Sequence, residues 1–261
     1  MSRLAQTFAR LKAQHRLGLI AYLTVGYPTL DATPRLVAAA VAGGADAIEL
    51  GIPFSDPIAD GRTIQAASQA ALKAGVTVGR ALEIAHLCRA KTDVPLLFMT
   101  YLNPILAFGL DRFCRQANAM GIDGLIVPDL PPTESSDFQE AFENAGLETV
   151  FFVAPTSTDA SIEAACRAAT GFIYCIAVTG VTGARAELDP AVLPLMKRVR
   201  ERTSLPIVVG FGISRSEHLL ALEGAADGVI VASALLDLVA RASGDPATEV
   251  ERFLTELRRQ G

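Results

Sequence analysis

Apolar residues along this chain follow two alternating rhythms. Short apolar runs recur at about 18–25, 46–50, 95–100, 123–127, 148–153, 171–176, 206–209 and 227–231, and most are followed by more than ten residues with a helical pattern. The runs read as strands buried on both faces and the longer stretches as crossover helices, which predicts a parallel α/β sheet of eight strands. Ahead of the first run, residues 2–14 place Leu4, Phe8 and Leu11 on one face of an amphipathic helix laid against the body of the domain. Three strand entries share a phrase, GADAIEL at 44, GIDGLIV at 121 and GAADGVIV at 224, and no low-complexity linker interrupts the series. Repeated βα units, rather than two unrelated domains, account for it, so residues 1–261 read as one domain. Eight parallel strands either stay open and doubly wound or close; the count and the length favour a closed (β/α)8 barrel with an extra N-terminal helix.

In either arrangement function collects at the carboxyl ends of the strands, which would bring together Glu49, Tyr101, Asp129, Tyr174 and the glycines after residue 209. Glu49 carries the most information. It alternates with Ile48 and Leu50, so in a sheet buried on both sides its carboxylate faces an interior where the ionised form is costly, and burial should raise its pKa. Gly51, Pro53, Pro57 and Gly61 then enforce a structured loop that ends at Asp60. Taken singly, Glu49 is an edge carboxylate and Asp60 a turn residue before glycine. Together, a dry acid beside a wetter carboxylate supplies acid and base chemistry in one pocket.

Composition narrows the chemistry. A net charge of −5 without a basic block excludes a nucleic-acid footprint, and no apolar run reaches membrane-spanning length. With no signal pattern at the N-terminus, a cytoplasmic location is expected. Cys88, Cys114, Cys166 and Cys175 lack any C-x-x-C pair, which suggests reduced thiols and no metal site. His15, His86 and His218 are scattered, so none is assigned a catalytic role.

Three loops at successive strand ends carry glycines or hydroxyls: 179–185, with Gly183; 210–214, with Gly212, Ile213 and Ser214; and Ala232-Ser233. Free N–H groups at helix starts make a phosphate cradle without lysines. Ser214 and Glu217 form a capping box by spacing, and Asp189-Pro190 reads as another helix start. Both serines, 214 and 233, would serve equally as plain caps. Tyr22, Met99, Ile126, Val153 and Phe211 could wall a flat aromatic ligand, although core packing explains them as well. Tyr101 and Tyr174 end or interrupt apolar runs, and a structural hydrogen bond is the plain reading of each.

The segments GIPFSDPIADGRTIQ, MTYLNPI, VPDLP, VTGVTGAR and VGFGIS, in this order and spacing, closely resemble the tryptophan synthase alpha chain family over essentially the full length. The resemblance implies a TIM barrel that cleaves indole-3-glycerol phosphate to indole and glyceraldehyde 3-phosphate. It implies no cofactor in this chain but a partner, the pyridoxal-phosphate-dependent beta chain, in an alpha2beta2 heterotetramer. By position, Glu49 matches the general acid/base, Asp60 the carboxylate that engages the indole N–H, and Tyr174 an active-site tyrosine. Gly183, Gly212, Ile213 and Ser233, with Ala232 beside it, fall in the phosphate-binding loops, while Asp56, Pro57 and Asn103 lie in loops facing the beta chain. Arg62, Tyr22 and Ala232 stand where proline, phenylalanine and glycine are usual. Two rival readings are another phosphate-binding barrel enzyme, such as a sugar-phosphate isomerase, and a non-catalytic scaffold subunit that binds the phosphate ligand without turning it over.

Overall fold

The computed structural model describes residues 1–176, 191–210 and 212–259. Strands lie at every apolar run: β1 Gly18–Thr24, β2 Ala47–Gly51, β3 Leu96–Met99, β4 Gly124–Ile126, β5 Glu148–Val153, β6 Ile173–Ile176, β7 Ile207–Gly210 and β8 Gly228–Val231. All are parallel, and β8 pairs back onto β1, so the sheet closes in sequence order. Tyr22, Glu49, Leu97, Gly124 and Glu148 stand in one line of register, and Phe152, Tyr174, Val208, Gly228 and Gly18 in another. The two lines are offset by four residues on β1 and by four on β5, which together make the eight-residue shear of a TIM barrel.

Around the barrel run α1 Arg3–Ala13, α2 Ala32–Ala42, α3 Arg62–Lys73, α4 Val78–Arg89, α5 Leu102–Phe108, α6 Leu110–Ala119, α7 Ser136–Asn144, α8 Asp159–Ala168, α9 Val192–Arg200, α10 Ser216–Leu222, α11 Ser233–Arg241 and α12 Pro246–Arg259. Ser2, Thr77 and Thr158 cap α1, α4 and α8 through their hydroxyls, each accepting one free N–H of the first turn. The capping box expected at Ser214 does not form. Arg215 occupies the N-cap of α10, and the Ser214 N–H instead donates to His218 Nδ1 at 3.4 Å. The imidazole has taken the backbone group that a cap would have organised. The other expected start, Asp189-Pro190, lies outside the described residues, and none of the described helices is long and apolar enough to cross a membrane.

The barrel separates two apolar cores. Leu19, Ala21 and Leu23 on β1 face the helices, whereas Ile20 and Tyr22 face inward, with Ala47, Leu97, Ile126, Val150 and Val208. α1 closes the amino end as a plug: its Leu4, Phe8 and Leu11 join the inner core, and Phe8 packs on Phe172 with ring centroids 6.1 Å apart. Three buried thiols, Cys88, Cys114 and Cys175, belong to the outer core, where burial pushes their pKa values up to about 12, 11 and 12 and keeps them unreactive.

The repeated phrase acquires a physical reason at this end. Asp46, Asp123 and Asp227 stand just before β2, β4 and β8, and each bonds twice to the first or second residue of the preceding strand. Their N–H groups donate to the carbonyls of Leu19, Leu96 and Ile207 at 2.7, 2.8 and 2.8 Å. Their carboxylates accept from the N–H groups of the same three residues at 3.0, 2.8 and 2.7 Å. Arginines complete each clamp: Arg258, Arg10 and Arg16 around Asp46, Arg3 and Arg89 around Asp123, and Arg200 at Asp227. The polar residue of the phrase thus fixes register at a strand entry.

Candidate active site

At the carboxyl end the same type of side chain is treated differently. β2 turns Glu49 inward beside Tyr22, its register partner on β1. Glu49 is 0% exposed, and neither carboxyl oxygen has a hydrogen-bond partner among the described residues. Burial alone pushes its pKa up to about 8, as the alternation with Ile48 and Leu50 predicts.

The loop after β2 returns to the barrel mouth at Asp60, which stands one residue before Gly61, the N-cap of α3. The Asp60 N–H donates to the Pro57 carbonyl at 3.2 Å, and its own carbonyl accepts from Gln65 Nε2 at 2.9 Å, so the backbone is held on both sides. Burial raises the Asp60 pKa to about 6, while the Tyr101 hydroxyl opposes the shift. At neutral pH the two carboxyls are therefore in different states: Glu49 is mostly protonated and Asp60 mostly ionised. Among the described residues neither has a cationic partner.

Two tyrosines bring these acids into one electrostatic neighbourhood. Burial raises the pKa of both Tyr22 and Tyr174; Asp60 and Glu49 raise Tyr22 further, and Glu49, Tyr22 and Asp60 do the same to Tyr174. Each ring occupies space left by a glycine. A Cβ on Gly51 would fall 2.0 Å from the Tyr22 hydroxyl, and one on Gly210 would fall 2.5 Å from the Tyr174 ring. The hydroxyl that distinguishes Tyr22 from a phenylalanine is thus accommodated by Gly51.

A cavity of about 150 Å³ opens between these groups. Tyr22, Met99, Phe152, Tyr174, Ile176 and Ile230 form its apolar wall, and Asp60 supplies its acid. Gly212, Ala232 and Ser233 line another side, where the first N–H groups of α11 are available to an anion. Gly212 has φ +64°, a conformation that favours glycine. Glu49 does not line the cavity; it lies one strand away from Tyr22, whose ring does. A larger groove of about 960 Å³ lies at the amino end between α1 and α9, but neither Glu49 nor Asp60 reaches it, so the smaller cavity is the candidate site.

Several expectations need correction. Val153 packs in the outer core against the helices, and Phe152 faces the cavity in its place, stacked on Tyr174 at 4.5 Å. The run VFFV is apolar on both faces, so composition hides its direction; registering it by parity with Val150 would have found Phe152. Ile126 belongs to the inner core without reaching the cavity. Ile213 buries its side chain in the outer core, which leaves only its backbone for a ligand. Gly183 and Phe211 lie outside the described residues. Asp129 accepts the Leu102 N–H at 2.9 Å and so caps α5, the helix before it in the chain. Tyr101 makes the structural hydrogen bond expected of it, its hydroxyl accepting the Ala59 N–H of the Asp60 loop at 3.0 Å.

The loops expected to face a partner do reach the surface. Asp56 and Asn103 are exposed, Pro57 is half-buried, and Ile58 between Pro57 and Ala59 is 84% exposed.

Known proteins resemble this chain over nearly its full length. A family model described as tryptophan synthase alpha chain matches residues 8–260. The chain is 49% identical over 261 residues to the tryptophan synthase alpha chain of Solibacter usitatus, covering 99% of this chain and 98% of that one. It is 47% identical over 260 residues to that of a Roseiflexus species, with 99% and 100% covered. Among solved structures, one of Mycobacterium tuberculosis tryptophan synthase is similar with a TM-score of 0.92 and 37% identity, covering 99% and 98%. The tryptophan synthase subunit alpha of Legionella pneumophila gives 0.89 and 32%, covering 100% and 98%.

Proposed function

The chain belongs to the tryptophan synthase alpha chain family, and from that premise we propose how its own residues perform the family's lyase reaction. That reaction is the retro-aldol cleavage of indole-3-glycerol phosphate to indole and glyceraldehyde 3-phosphate, a step of tryptophan biosynthesis. The observation that carries the residue assignment is a pair of carboxyls without cations among the described residues, one protonated and one ionised at neutral pH, with Glu49 beside Tyr22 and Asp60 in the wall of the cavity that Tyr22 lines.

Protonated Glu49 gives its proton to indole C3, and the ring acquires positive charge at nitrogen. Ionised Asp60 accepts a hydrogen bond from that nitrogen and stabilises the charge as it develops, in a setting where no water has to reorganise. The Glu49 carboxylate then takes the proton of the adjacent side-chain hydroxyl. The C–O bond becomes the aldehyde carbonyl, the carbon–carbon bond breaks, and its electron pair returns to the ring to give neutral indole. One proton enters and one leaves through the same carboxyl. Glu49 suits both steps because no hydrogen bond from the described residues holds its carboxyl.

Met99, Phe152 and Ile230 offer the apolar wall for the indole ring, with Tyr174 stacked beside it; Gly212, Ala232, Ser233 and the start of α11 offer the phosphate cradle. Only carboxyl chemistry is required, so no cofactor is assigned to this chain. Exposed Asp56, Ile58 and Asn103, with Pro57, suit a docking face for a pyridoxal-phosphate-dependent beta chain that consumes the indole, in an alpha2beta2 heterotetramer in the cytoplasm. The eight-stranded barrel is read as a single unit across 1–261. The test is indole formation by the full chain, alone and with a beta chain, against Asp60→Asn. Loss of turnover with phosphate-substrate binding retained supports the assignment; unchanged turnover removes Asp60 from it.

A further inference from the structure

We propose that Tyr101 is a positioning residue for the reaction, holding the Asp60 carboxylate at the barrel mouth by gripping the loop that carries it. The proposal rests on the assignment of Asp60 above. Tyr101 follows β3 at the N-cap of α5 and is 4% exposed. Its hydroxyl accepts the Ala59 N–H at 3.0 Å, the residue immediately before Asp60. A hydroxyl that accepts this way still has its own proton to place, and the Asp60 carboxylate is the acceptor beside it. One oxygen thus fixes the peptide before Asp60 and turns its own proton toward the acid.

The tyrosine is in turn fixed from three sides. Its ring packs on Phe54 of the same loop at 5.4 Å between centroids. Asp129, from the loop after β4, caps Leu102, the next residue in the chain. The strand before it registers Met99 between Gly51 and Ile126. Tyr101 does not line the cavity, so it acts on a ligand only through Asp60. The loop needs such an anchor: its outer half, with Ser55, Asp56, Ile58 and Ala59, is exposed, and a flexible approach would blur the position of the acid.

Among the described residues the groups that face Asp60 are Tyr22, Tyr101 and Tyr174, and of these only Tyr101, through its hydroxyl donor, favours the ionised form of the acid. Removing that donor makes the ionised acid harder to form, so the acid limb of the pH–rate profile should move to higher pH. The experiment measures kcat/KM for indole release across the pH profile for the full-length wild type, Tyr101→Phe, Asp60→Asn and the double variant. Tyr101→Phe should lower activity at neutral pH about tenfold and shift the acid limb upward, while in the Asp60→Asn background it should cost nothing more. A partly unfolded sample would lower the whole profile without moving the limb. An unmoved limb, or losses that multiply in the double variant, overturns the role of Tyr101 while Asp60 keeps its own. Wild-type activity in Asp60→Asn overturns the assignment of Asp60, and the role of Tyr101 falls with it.

Discussion

The two ends of the barrel use carboxylates in opposite ways. At the amino end Asp46, Asp123 and Asp227 each accept a backbone N–H and meet at least one arginine. At the carboxyl end Glu49 is more deeply buried than any of these, and among the described residues it has no hydrogen bond, while Asp60 has a tyrosine beside it and no cation. The arginine-paired carboxylates hold strands in register; Glu49, buried without a pair, keeps its proton near neutrality and can give it away. The difference is one of surroundings, since the residue types are the same. Stability is built at one mouth and given up at the other, where chemistry needs an acid near neutrality.

Exchanging the roles of the two ends should therefore separate activity from stability. The largest effect is expected from Glu49→Gln, which should lower indole release by about 10²–10⁴-fold without unfolding the chain; near-normal release would remove Glu49 from the mechanism. In the wild type the pH profile of kcat/KM should fall on the acid side near 6, as Asp60 takes up a proton, and on the basic side near 8, as Glu49 loses its own.

The reverse experiment is Asp46→Ala. It leaves Arg258 and the Leu19 N–H without their carboxylate. Breaking such a pair should cost about 3–5 kcal/mol in urea denaturation, with kcat unchanged for the fraction that stays folded. A loss of kcat instead would mean that the amino end is not merely structural.

A smaller effect sharpens the comparison through pH. The folded-state pKa of Glu49 is raised from 4.5 to about 8, so the native chain binds a proton that the unfolded chain has released between those values. The contribution of Glu49 to wild-type stability should be full below about 4.5 and decline until the pH passes about 8, by on the order of a few kcal/mol. Glu49→Gln cannot titrate, so its stability relative to wild type should rise through that window and level off above it. A constant difference at every pH would show that burial does not perturb this carboxyl. The smallest effect belongs to Asp129→Ala, which removes the cap of α5 and should cost about 0.5–2 kcal/mol in thermal or urea unfolding.

Much of the architecture was legible beforehand because strand burial on both faces leaves apolar runs that helices do not imitate. Every run became a strand, the Leu4, Phe8 and Leu11 stripe became the helical plug, and Glu49 stood out because an acid interrupts a dry face. Where a local pattern was symmetric, it failed. Phe152 and Val153 are both apolar, and only the register of β5 with β6 decides which one meets Tyr174. Ser214 had the spacing of a cap, but His218 claimed its N–H and α10 began two residues later.

What the chain determined by itself were the elements, their order and the identity of the two acids, because periodicity and the chemistry of a side chain are local properties. Tertiary structure decided which charges would be neutralised. The arginines at Asp46 come from α1, the turn after it and α12, and the hydroxyl at Asp60 comes from the end of β3. No local pattern announces those meetings. A carboxyl group's pKa depends on what closure of the barrel brings within a few ångströms of it, and on how much water closure removes.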